Sequence, residues 1–266
     1  MNNIALGRYI PMNSIVHKFD PRVKILAMLV LLTAIFIPAG FPGYALLAVF
    51  IGSVVFISKL DFKFIIKAMR PMMLMLVFLM IINVLILKTG YVLVNIFGFK
   101  IYSDAVFQTL YISIRLLLMI MVTTVLTATT KPLDLTLGIE DLLKPFKRFK
   151  VPAHEIAMMI SIALRFIPTL IEETDRIMKA QASRGVDLAE GKLKEKIIAI
   201  LSLIVPLFVS SFQRAEDLAD AMEARGYNPS ATRTRYKQLK RTTKDTVMLF
   251  VVILVLASVI ALSVIL

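Results

Sequence analysis

Apolar positions in this chain gather into long runs divided by short polar or cationic breaks, with none of the strict alternation of a half-buried strand. The first run covers 23–38. After a turn marked by Gly40, Pro42 and Gly43, a second covers 44–58. Each is slightly short of the roughly 20 residues that span a bilayer as a helix, and the flanking 39–43 can extend either, so the pair reads as a helical hairpin across the membrane. Lys59, Lys63, Lys67 and Arg70 follow, and a third run, 72–87, stops at Lys88, Thr89 and Gly90. Segment 91–101 reads as interfacial, 105–130 as a fourth span, and 246–266 as a fifth with no charge at all.

Between the fourth and fifth runs the pattern changes. From Pro152 the apolar positions Ile156, Met159, Ile160, Ala163, Ile167, Leu170 and Ile171 recur at helical spacing, and charges gather later at Glu172, Glu173, Asp175, Arg176 and Lys179. A second stretch, 197–212, is apolar nearly all round and includes Leu201, Ile204, Leu207 and Phe208. Arg214, Glu216, Asp217, Asp220 and Glu223 then take over. Each apolar half holds one proline, Pro168 or Pro206, expected to kink the helix or start a new turn. The segments end alike: Ala182-Ser183-Arg184-Gly185 and Glu223-Ala224-Arg225-Gly226, the arginines 41 positions apart. Aligned on these tails, Asp175 falls on Glu216, Ile177 on Leu218 and Ala180 on Ala221. One such tail is ordinary capping, since Gly favours the position past a helix end and Arg suits the negative end of the dipole. Two, on segments of matching polarity profile, point to a duplicated device facing two similar partners.

Composition places all of this in a membrane. Of 266 residues, 58% are apolar, and the mean hydropathy of +0.82 is far above that of a soluble domain. The polar first 20 residues lack the features of a cleavable signal. The net charge of +13 reads as cationic loops rather than a nucleic-acid surface. With the N-terminus inside, the cytoplasmic segments ahead of the third run hold Arg8, Lys18, Arg22, Lys24 and the four cations at 59–70. Segment 131–244 holds 20 more, and the outside keeps Lys88 and Lys100. The positive-inside rule therefore puts the C-terminus outside. Arg115 stands alone within the fourth run, where a charge is costly, and calls for a structural partner within the bundle.

Catalytic chemistry is poorly supplied. The chain has no cysteine and two histidines, His17 and His154, so no metal centre or cofactor site is expected. None of G-x-x-x-x-G-K-[ST], G-x-S-x-G or H-E-x-x-H occurs, and no pair of carboxylates sits mid-span to relay protons or sodium. An all-α integral membrane protein follows, with about five transmembrane helices and long cytoplasmic helices that pass movement between soluble partners and the membrane. Its parts are a bundle over 1–130, a cytoplasmic region over 131–243 with the two Arg-Gly motifs, and a final helix over 244–266. Asp20 is expected to cap the first helix, with Pro21 at its first position and Arg22 and Lys24 at the cytoplasmic boundary.

With Asp20-Pro21-Arg22-Val23-Lys24 ahead of the first run, Ser183-Arg184-Gly185 and Ala224-Arg225-Gly226 on the long helices, and this order of elements, the chain resembles the transmembrane T component of energy-coupling factor importers, the EcfT family, related to CbiQ-type subunits of cobalt and nickel importers. The resemblance implies a multi-pass subunit of the prokaryotic cytoplasmic membrane, itself non-catalytic, working with two ABC-type ATPase subunits (an EcfA-like pair) and a membrane-embedded S component that carries a vitamin or metal ion. Carried over, Ser183, Arg184, Gly185, Ala224, Arg225 and Gly226 would meet the ATPases. Ile156, Met159, Ile160, Ala163, Ile167, Leu201, Ile204, Leu207 and Phe208 would form the platform for the S component. The 15 methionines suit a surface that re-packs against several partners, although Met is equally a filler of membrane cores. The competing reading is a stand-alone permease or membrane-bound enzyme with 153–228 folded as two further spans, which would leave Lys192, Lys194 and Lys196 outside, against the positive-inside rule.

Overall fold

Residues 9–96, 99–145, 152–186, 193–228 and 238–265 are described by a computed structural model of the chain. Arg8 and Lys192 of the charge count lie outside the described residues. The chain divides into two units, Met1–Leu142 with Leu239–Leu266, and Leu143–Gln238.

In the first unit, α1 (Pro21–Phe36) starts on an Asp20 cap whose carboxylate accepts from the Arg22 N–H, with Pro21 at the first helical position. Its missing N–H would have had no intrahelical partner there in any case. Gly40, at φ 61°, opens α2 (Gly40–Ile57) directly after the turn. The helix α3 (Phe62–Ile86) begins ten residues earlier than its apolar run. It absorbs the cationic segment as its first turns and carries Pro71 inside. The segment expected to be interfacial holds two short antiparallel strands, β1 (Val92–Ile96) and β2 (Phe99–Tyr102), set between α3 and α4 (Ser103–Thr129). Two further helices belong to the unit: α5 (Pro132–Leu143), which was not separately resolved in the apolar pattern, and α8 (Thr243–Ile265).

α1 and α2 each pack against both α4 and α8, and α3 packs on α4. The shared core is Leu31, Ala34, Ile35, Leu47, Ile51, Leu118, Val122, Val252, Val255 and Val259. In a bilayer, lipid tails are as apolar as leucine, so close packing rather than escape from water holds helices together, and small residues allow it. Ala34 and Ala128, both fully buried, serve that purpose here.

The second unit is two long helices, α6 (Ala153–Ser183) and α7 (Leu193–Ala224). Both run unbroken through their prolines, so Pro168 and Pro206 each lie inside a single helix. They are antiparallel. The Gln181 amide reaches the Ser202 carbonyl at 3.3 Å, Arg214 pairs with Glu173 at 3.4 Å, and the Tyr227 hydroxyl meets the Met158 sulfur at 3.3 Å.

Among the described residues, six helices are long and apolar enough to cross a membrane by length and composition alone: α2, the part of α3 from Met69 on, α4, α6 from His154 on, α7 and α8. The architecture is all-α apart from the one strand pair, as its sequence pattern requires. The span count differs slightly from five, because 16-residue α1 falls below that length while α6 and α7 reach it.

Candidate functional site: two arginine-tipped helices

The two tails adopt the same structure. At the end of α6, the Gly185 N–H donates to the Ala182 carbonyl and the Val186 N–H to the Gln181 carbonyl, both at 3.0 Å. At the end of α7, the Gly226 N–H donates to the Glu223 carbonyl at 2.8 Å and the Tyr227 N–H to the Met222 carbonyl at 2.9 Å. Both are complete Schellman turns, which need the residue after the cap in the left-handed region. Gly185 at φ 84° and Gly226 at φ 73° meet that need, and a side chain at either position would be strained although the surrounding space is open. The preceding residue at each end is the arginine, so Arg184 and Arg225 occupy the same capping position on two helices.

Ser183, Arg184, Gly185, Ala224, Arg225 and Gly226 are all exposed, and neither arginine has an ion pair among the described residues. The antiparallel pairing keeps the two tips apart. Arg225 stands level with the Met158 region of α6, so at a rise of about 1.5 Å per residue the arginines lie roughly 35 Å apart along the pair. The apolar halves are open as well. Met159, Ile160, Ala163 and Ile167 on α6 and Leu201, Ile204 and Phe208 on α7 are exposed, while Ile156 and Leu207 are half-buried. Ile156, Met159, Ile160, Ala163 and Ile167 fall on one face of α6 by their spacing. Ala157 and Ala199 are the buried residues of the unit among those described.

The profile of the CbiQ family, described as cobalt transport protein, matches residues 12–236. A Bacillus subtilis protein named energy-coupling factor transporter transmembrane protein EcfT is 45% identical over 92% of this chain and 93% of its own length. Proteins of the same name from Macrococcus caseolyticus and Thermosediminibacter oceani are 45% and 46% identical, over 95% and 92% of this chain and 96% and 92% of their own lengths. The chain belongs to the EcfT/CbiQ family. It is a multi-pass membrane protein of the T-component type.

In this EcfT-like chain the base of α1 is a second polar centre. Asp245, in the first turn of α8 and 1% exposed, accepts the Asp20 N–H on one carboxylate oxygen at 2.9 Å. The other oxygen takes the Thr242 N–H and hydroxyl, each at 2.6 Å. One carboxylate thus holds the starts of two helices. Arg22 forks onto Asp20 at 2.7 Å and reaches Asp141 of α5 at 3.4 Å and the Leu239 carbonyl at 3.1 Å. Lys24, two residues on, is 6% exposed. Its ammonium donates to the Thr129 carbonyl at 2.9 Å and the Thr130 hydroxyl at 3.3 Å, satisfying the carbonyl end of α4, where the helix dipole favours a cation.

Just ahead of α1, His17 donates from Nε2 to the Ile10 carbonyl at 3.0 Å and accepts from the Ser14 hydroxyl at 2.7 Å. Burial, with the Lys24 charge adding to it, holds its imidazole below the ordinary pKa despite the opposing Ile10 bond. The neutral ring therefore fastens the N-terminal segment.

Arg115 finds its partner within the bundle. Its Nε donates to the Tyr44 hydroxyl at 2.8 Å, and the guanidinium lies 5.3–6.0 Å from the ring centres of Tyr111, Phe36 and Tyr44. Aromatic faces stabilise a desolvated cation without a counter-charge.

Asp141 and Asp245 were missed in the sequence. Asp141 carries no local signal for its bond to Arg22. Asp245 does have one: Thr242-Thr243-Lys244-Asp245 has the spacing of a capping box at the start of the last apolar run.

Proposed function

We propose that this chain is the energy-coupling subunit of an energy-coupling factor importer. It receives ATP-driven movement from two ABC-type ATPase subunits through Arg184 and Arg225 and passes it along α6 and α7 to a membrane-embedded S component carrying a vitamin or a metal ion. The observation behind this reading is that two exposed arginines occupy identical caps at opposite ends of one antiparallel pair, the arrangement that two similar partners would require. An arginine presents a planar fork of donors suited to a carboxylate in a partner's groove, and Lys would not replace it there. The exposed apolar halves of both helices, Met159, Ile160 and Ile167 on α6 and Leu201, Ile204 and Phe208 on α7, are the platform in this reading. They are too apolar for a helix in free water. The names of the relatives support the same assignment, and the charge pattern orients the N-terminus inside and the C-terminus outside.

The length and apolar composition of α6 and α7 favour one alternative, a stand-alone permease in which both cross the membrane. Reconstitution separates the two. Drawn from its native membrane in mild detergent, the chain is expected to bring two P-loop ATPase chains and a small membrane protein with it, and the purified chain alone is expected to release no phosphate from ATP. Substrate transport by proteoliposomes containing this chain alone would contradict the proposal.

A further inference from the structure

Arg22 touches three separate pieces of chain, and two of them are the points where the second unit is attached. The first unit ends at Leu142 and resumes at Leu239. Asp141, one residue before the exit, pairs with the Arg22 Nη1, and the carbonyl of Leu239, the residue of return, accepts from Nη2. The same guanidinium is held by Asp20, whose side chain is 1% exposed, through Nε and Nη2. Asp20 is in turn fixed by Asp245 of α8, and Lys24, half a turn along α1 from Arg22, holds the end of α4. The two places where the chain leaves and re-enters the first unit therefore converge on one side chain at the base of α1. From there, direct hydrogen bonds lead to the start of α8 and the end of α4.

The neighbouring backbone is built for this contact. Gly138 brings α5 so close to α1 that a Cβ there would stand 3.2 Å from both the Pro21 Cβ and the Ile25 Cδ1, and 3.4 Å from the Arg22 nitrogen. α5 is held against the first turn of α1, which carries Asp141 to the guanidinium. A Cβ at 138 would require these neighbours to give by a few tenths of an ångström. Packing this close passes a displacement of α5 on to α1.

We propose that Arg22 is a positioning residue for energy coupling: it clamps the entry and exit strands of the α6–α7 unit to α1, so that movement of that unit shifts α1, α4 and α8 together. This rests on the coupling reading above and adds the route by which movement enters the bundle. The planar guanidinium suits it, because its fixed fork of donors reaches acceptors on three sides in a geometry that a compact ammonium does not reproduce.

The test uses the complete transporter, this chain with its ATPases and S component, reconstituted in proteoliposomes, and reads ATP hydrolysis and substrate uptake on the same sample. Arg22→Ala and Arg22→Lys are expected to assemble and hydrolyse ATP, with uptake per ATP reduced roughly 2- to 30-fold, more in the alanine variant. Arg22→Lys retains the charge beside Asp20 and serves where the alanine variant does not fold. Unchanged uptake per ATP in Arg22→Lys would overturn the proposal, as would a parallel loss of hydrolysis and uptake, which marks a merely structural role. The coupling reading is judged separately on the unaltered chain: if that complex shows no ATP-driven uptake, the failure lies there and not with Arg22.

Discussion

Replacing Arg184 and Arg225 together by alanine is expected to bring ATP-driven uptake to background while the chain still accumulates in the membrane at its normal level. The fold should be indifferent to the change. Both side chains are exposed, and the bonds that close the two Schellman turns run between main-chain atoms and depend on Gly185 and Gly226 rather than on the arginines. Exposed substitutions of this kind typically stay within about 0.5 kcal/mol of the parent in stability. Docking should respond quite differently. An arginine desolvated against a partner's carboxylate is worth about 2–5 kcal/mol on truncation, because the partner's charge is then left buried and unpaired. Each single variant should therefore keep partial uptake through the remaining tip. Measuring uptake and ATPase co-purification on the same membranes checks this, and full transport by the double variant would show that the tips carry no coupling.

A comparably large effect, on stability rather than transport, is expected at Asp245. Its carboxylate accepts three hydrogen bonds, from the Asp20 N–H and from the N–H and hydroxyl of Thr242, at a site 1% exposed. Asp245→Ala strands the buried Asp20 N–H, at a cost of about 1–3 kcal/mol, while the two donors of exposed Thr242 turn to water. A loss of that size would lower the melting temperature in detergent by roughly 2–12 °C for a chain of this size. Asp245→Asn keeps one side-chain oxygen and should fall between. A melting temperature unchanged in the alanine variant would mean that α1 and α8 are not held through this carboxylate.

The contrast between these two sites explains what could be read from the amino-acid order. The helices and the paired arginine tips are local features. A 3.6-residue periodicity defines each apolar face, and Arg-Gly following Ser183 or Ala224 fixes the turn through bonds that reach no further than five residues. The Asp20 cap and Pro21 start are local in the same way. The rest depends on contacts across the chain. Arg22 meets Asp141 and Leu239 at separations of 119 and 217 residues, and Asp20 meets Asp245 at 225. No periodicity carries information about such pairs.

Burial of Lys24 follows from the same packing. Its place beside Arg22 fits the cytoplasmic boundary of a span, yet the carbonyls at the end of α4 need a donor, and the bundle supplies this one. The strand pair at 92–102 and the extension of α3 back to Phe62 were hidden for a third reason. Hydropathy detects what is apolar, and the first turns of α3 are cationic while the strands are mixed. Arg115 lies between these cases: its need for a partner is plain from its setting, but the ring faces of Phe36, Tyr44 and Tyr111 become its neighbours only through packing.

The side of the membrane on which the tips lie tests the account most directly. The chain contains no cysteine, so Ser183→Cys introduces a single thiol at an exposed helix end beside Arg184. With a membrane-impermeant maleimide, the coupling account predicts no labelling of Cys-bearing protein in intact cells and full labelling in inverted membrane vesicles stripped of the ATPase subunits. Reaction from outside in intact cells would place the tip beyond the ATPases and contradict the account.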